Sequence, residues 1–105
     1  MFEINGIIWR IKFVDPFDPI LIKDNGILSV GMCDQLTKTI YLARNLEGSM
    51  LKKVVCHEIV HAAMFSYQVH LSIEQEEIIA DIIATYGEEI INVTNKVFKK
   101  LQLYY

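Results

Sequence analysis

The stretch "VVCHEIVHAAM", residues 54 to 64, holds three residues whose types and spacing could do chemistry. His57 and His61 stand four apart, and Glu58 directly follows the first. On a helix, positions i and i+4 lie one above the other on the same face, so both imidazoles can aim at one point. Glu58 lies about 100° further round, given about 3.6 residues per turn. It cannot easily share that point, but it can reach a water beside it. Two histidines on a zinc ion with an adjacent general base make that pattern useful. Zinc lowers the pKa of a bound water to about 7; Glu58 would take the proton and later deliver it to a leaving amine. The competing account is plain: H-E-x-x-H is short and arises by chance, and helix histidines more often serve packing.

A catalytic zinc site takes three protein ligands and keeps one position open. His70 follows His61 by nine residues, without the glycine and six-residue spacing of a metzincin. The better source is "EQEEIIAD", residues 74 to 81. Glu77 and Asp81 again share a helix face, beside the small Ala80 and Ala84, which would let this helix approach the first closely. Glu77 is the expected third ligand, with Glu76, about 100° away, as the alternative. Asp81, one turn on, is expected to accept the free N–H of a ligating histidine and so fix its tautomer. An acidic first turn complementing the helix dipole explains Glu74 and Glu76. It explains Asp81 poorly, since that residue lies two turns in, amid isoleucines.

The elements that must position these groups follow from the periods along the chain. Residues 1 to 43 read as β-structure. Asn5-Gly6 signals a hairpin between apolar runs, and "DPFDPILIKDNG" reads as loop with a short strand at Ile20 to Ile22. "ILSVGMCD" and "TKTIYLA" form a second hairpin around "DQLT". From Leu46 the period turns helical, giving a helix from about Ser49 to Tyr67. Ser72-Ile73-Glu74-Gln75 matches a capping box that opens a second helix, with Ile79, Ile82, Ile83 and Tyr86 on one stripe. Gly87 is expected to end or kink it. A third helix, Glu88 to Leu101, would turn Ile90, Ile91, Val97, Phe98 and Leu101 inward and its lysines outward. Strands first and helices after make the class α+β.

Composition bounds the rest. A chain of 105 residues is one domain's worth, expected to span 1–105. At 52 % hydrophobic and 22 % charged residues it is globular in type and not disordered. A net charge of −3 and the absence of a basic stripe argue against a nucleic-acid partner. No apolar run approaches the roughly 18 residues of a membrane span. "MFEINGIIWRIKF" lacks a signal-peptide layout, so the expected compartment is the cytoplasm, and two cysteines fit that expectation.

"HEIVH" followed by Glu77-x-x-x-Asp81 resembles the gluzincin pattern of zinc metallopeptidases. More narrowly, "CDQLTKTIYLA", "VVCHEIVHAAMFSY" and "EEIIADIIATYGEEI" are similar to ImmA/IrrE-like and small phage- or prophage-encoded metallopeptidases, over residues 30 to 90. The resemblance implies a minimal zincin-like fold, a small antiparallel or mixed sheet packed on the motif helix. It implies zinc on His57, His61 and Glu77, Glu58 as catalytic base, Asp81 behind a ligand histidine, and a peptide or protein substrate. The substrate would lie along an edge strand, here residues 38 to 43. The larger peptidases close their cleft with a second subdomain, which this chain lacks the length to supply. A non-catalytic peptide-binding module, with zinc structural or absent, is the alternative.

Other groups weigh less. Cys56 and Cys33 read as small core hydrophobes. Tyr67 and His70 stand between the helices as candidate oxyanion donors, and Tyr86 reads as core. Trp9, Phe13 and Phe17 read as sheet and loop packing, and Met32, Met50 and Met64 as core filler.

Overall fold

The computed structural model describes residues 1–103. It is α+β: four strands come first, then two helices. Strands β1 (Phe2–Ile4) and β2 (Ile7–Val14) are joined at Asn5 and Gly6, both at positive φ. That is the tight turn whose twist matches a hairpin, and it needs residues that tolerate left-handed backbone. β3 (Gly31–Asp34) and β4 (Thr39–Ala43) form the second hairpin. β4 pairs antiparallel with β3 and parallel with β2, so the sheet order is β1-β2-β4-β3.

Each sheet face is covered by a different element. Trp9, Ile40 and Leu42 point to the face under helix α1 (Gly48–Ser66) and pack with its Val54 and Ala62. Val14, Ala43 and Tyr41 point the other way and close over Leu21. Leu21 belongs to a 3₁₀ turn, Pro19–Leu21, where a strand at Ile20 to Ile22 was expected. The local chemistry explains the difference. Asp18 Oδ1 accepts from Ile20 N at 2.9 Å, and Pro19 presets the first φ of a helical turn. Because both faces are covered, β4 is buried along nearly its whole length.

The hairpin is pinned to the far end of α1. Trp9 Nε1 donates to Ser66 Oγ at 2.9 Å, its ring meets Phe65 edge-on at 6.0 Å, and Asn5 Nδ2 donates to the Ser66 carbonyl. A fully buried Trp keeps its N–H satisfied this way. Phe13 and Phe17 are exposed and not packed as expected, since neither covering element extends over them; Phe17 is 79 % exposed. Met50 is likewise exposed.

Helix α2 (Ile73–Gln102) opens on the expected capping box: Ser72 Oγ accepts from Gln75 N, and Gln75 Oε1 accepts from Ser72 N. It runs unbroken through Gly87, so the expected second and third helices are one. A helical glycine costs about 1 kcal/mol relative to alanine but leaves the hydrogen-bond ladder intact. Without a turn at Gly87 the later residues never fold back. Ile90, Ile91, Val97, Phe98 and Leu101 are therefore exposed and not inward, and Tyr86 is exposed too. The radius of gyration is 16.0 Å, against about 13 Å for a compact chain of this length. No helix among the described residues is long and apolar enough to cross a membrane.

Candidate metal centre

One stripe of α1 faces the sheet: Val54, Glu58, Ala62 and Ser66, each four after the last and all buried. Glu58 thus occupies a core-facing position and is only 7 % exposed. The neighbouring stripe, His57 and His61, faces α2. The acidic start of α2 returns antiparallel along it, and the fully buried Ala80 permits the close approach.

His57, His61 and Glu77 converge. Glu77 Oε1 is 2.8 Å from His61 Nε2, and Glu77 Oε2 is 3.2 Å from His57 Nε2. The two Nε2 atoms are 3.1 Å apart. On the far side of each ring stands a carboxylate. Asp81 Oδ1 lies 2.9 Å from His57 Nδ1, and Glu76 Oε1 lies 2.7 Å from His61 Nδ1. An ionised carboxylate only accepts, so each Nδ1 carries the proton and donates. In neutral rings both Nε2 atoms then present lone pairs to one another and to the Glu77 carboxylate. Three acceptors facing one point are mutually repulsive unless a cation lies between them. The spacings fit one: zinc with Zn–N of about 2.0–2.1 Å in tetrahedral geometry sets its ligand atoms about 3.3 Å apart. These are the described residues whose ligand atoms gather closely enough for a metal.

Glu58 makes no hydrogen bond or ion pair among the described residues, and its carboxylate lines two adjoining clefts of about 530 and 320 Å³. Burial pushes its pKa up from the ordinary carboxylate value, an effect the nearby His57 and His61 partly oppose. Gly31 on β3 makes room for it. A Cβ there would lie 2.9 Å from Val54 Cγ1 and 3.1 Å from the Glu58 side chain. Cys33, two residues on, also lines the larger cleft. Burial first, then the charges of Glu58, Glu76 and Asp34, push its thiol up to about 12, so it stays protonated and inert.

Some expectations need correcting. β4 cannot be the substrate edge, because it is hydrogen-bonded on both sides; the free edge beside the site is β3. Glu76 faces His61 from behind and holds the place for His61 that Asp81 holds for His57. Tyr67, His70 and Tyr86 do not line either cleft. Sequence reasoning missed Lys23, which lines both clefts and reaches within 4.0 Å of Glu77. Nothing in "LIKDNG" marks it, since only the loop's return over the site brings it near. Compared with known proteins, the chain matches no family model, no curated protein and no solved structure.

Proposed function

We propose that this protein is a zinc-dependent metallopeptidase of minimal gluzincin type, similar to the ImmA/IrrE-like enzymes. The observation that carries the reading is the convergence of three lone-pair donors whose tautomers are set by Asp81 and Glu76, beside an unpaired, buried glutamate that opens on a cleft. His57, His61 and Glu77 would hold the ion. A zinc ion bound there supplies Lewis acidity toward water and a peptide carbonyl.

The chain's own groups do the rest. Glu58 takes a proton from the attacking water as the water oxygen bonds to the carbonyl carbon. When the C–N bond breaks, Glu58 gives that proton to the leaving nitrogen. Burial makes Glu58 a stronger base toward the water proton, and its conjugate acid is still far more acidic than an ammonium, so the proton can pass on to the leaving nitrogen. Lys23, on the cleft wall, is the cation within reach of a developing oxyanion. The free edge of β3 offers backbone groups to an extended peptide.

Zinc content of protein purified without chelator tests the metal. The expected result is about one zinc per chain, lost in His61→Ala and Glu77→Gln. Glu58→Gln is expected to keep the metal and lose peptide hydrolysis. Failure of the wild type to take up zinc overturns the reading. One observation favours a second reading, a peptide-binding module: the cleft is open, walled by the short β3 and the loop at 23 to 25. Peptide binding that survives Glu58→Gln, with no turnover in the wild type, would select it.

A further inference from the structure

From Ile83 onward α2 carries an apolar stripe that no described residue covers. Ile83, Tyr86, Ile90, Val93 and Val97 recur at alternating spacings of three and four, the seam of a two-helix coiled coil. Each is at least 41 % exposed. The stripe lies one position round from Ala80 and Ala84, the face given to α1, so covering it leaves the α1 contact intact. The Lys52–Glu88 ion pair at 2.8 Å marks where the start of α1 meets α2. Beyond it more than three turns of helix extend alone. A contiguous apolar stripe left facing water marks a surface of association.

The charges along the stripe say which partner. Acidic residues on α2 end at Glu89, and lysines occupy 96, 99 and 100. Glu89 directly precedes Ile90, and Lys96 directly precedes Val97, so both flank the seam on the same side. In a parallel pair of two such helices these flanks meet Thr94 and Leu101, and the lysine-rich ends lie side by side. In an antiparallel pair with Ile90 on Val93, Tyr86 meets Val97. Glu89 of each helix then comes beside Lys96 of the other, once on each side of the two-fold axis. The helix is complementary to its own reverse.

We propose that α2 pairs antiparallel with α2 of a second copy of this chain, through Tyr86, Ile90, Val93 and Val97. The protein is a two-fold dimer. This inference is independent of the metal chemistry.

Sedimentation velocity of the full chain across micromolar concentrations tests it. The expected mass is twice that of the monomer. Ile90→Asp combined with Val97→Asp is expected to give a monomer of unchanged helical content by circular dichroism. Glu89→Lys should weaken the dimer at least tenfold, and adding Lys96→Glu should restore it. Lys100→Cys, at the next position of the stripe, would meet its own copy in a parallel pair; in a Cys33→Ser, Cys56→Ser background it should form no disulfide with its own copy. A monomer at all concentrations overturns the proposal and leaves the stripe to a different protein. A dimer indifferent to the two aspartates, or one cross-linked through Lys100→Cys, overturns it too.

Discussion

The two halves of α2 are built from the same materials and do opposite things. Residues 73 to 86 and 87 to 102 both carry isoleucines at helical spacing and both carry charge. In the proximal half, Ala80 and Ala84 let α1 come close, and Glu76, Glu77 and Asp81 are spent on the two histidines. In the distal half no element returns, and the apolar side chains stay exposed. An amphipathic pattern specifies a face that wants covering. It does not specify what covers it, or whether the covering comes from the same chain.

The sharpest way to break this contrast is to spoil the proximal contact. Ala80→Leu forces extra volume into a fully buried position, for which overpacking costs about 1–3 kcal/mol. It should separate the helices and abolish zinc binding by titration calorimetry, whereas Ile90→Asp should leave zinc affinity unchanged. Cys33 lies across the cleft, where burial first, then the charges of Glu58, Glu76 and Asp34, raise its thiol pKa. A thiol moved from 9.0 to about 12 holds roughly a thousandfold less thiolate at pH 8. In a Cys56→Ser background, labelling of Cys33 should be slowed by that order and recover in urea. The sign for stability follows. The unfolded chain loses this proton first, so the Cys33 contribution to stability is full below pH 9 and is lost as pH rises toward 12.

Within the proximal half, the two outer carboxylates should differ. Glu76→Gln and Asp81→Asn each replace a histidine's charged acceptor by a neutral amide, and changes to such partners cost about 10–100-fold in metal affinity. The Glu76 side chain is 16 % exposed and the Asp81 side chain 69 %. Water can replace Asp81, so Glu76→Gln should lie at the upper end of that range. Where the halves meet, Gly87→Ala should stabilise the helix by less than about 1 kcal/mol. The new Cβ lies 3.2 Å from Ile83 Cγ2, and that side chain is free to shift toward solvent. Thermal unfolding measures it. Lys52→Met should move the same transition least, since the Lys52–Glu88 pair is exposed on both sides.

Much of the site was legible because it is local. His57 and His61 share a face by helix geometry alone, and the hydrogen-bonded partner of His57 was recognisable because an aspartate amid isoleucines two turns into a helix needs a reason. The capping box and the Asn5-Gly6 turn were legible for the same cause, since each closes within four residues. Glu76 was harder. Its place behind His61 depends on how far α2 is rotated against α1, which only the depth of the Ala80 contact decides. β4 read as an edge on the resemblance alone, and its own residues do not correct this, because β-branched residues suit edge and centre alike. Its central place comes from the parallel pairing with β2, a contact between residues about thirty apart in the sequence.

By itself the sequence determined the α+β order, the motif helix, the cap of α2 and the residue types that can hold a metal. These rest on periods and spacings within a few turns of chain. The tertiary structure alone decided which strand is free beside the site, that Glu58 lies buried against Gly31, that Lys23 enters the cleft, and that α2 runs on past Gly87 with no other element among the described residues to meet. Each of these depends on contacts between distant segments, or on their absence, and local preference carries no record of either.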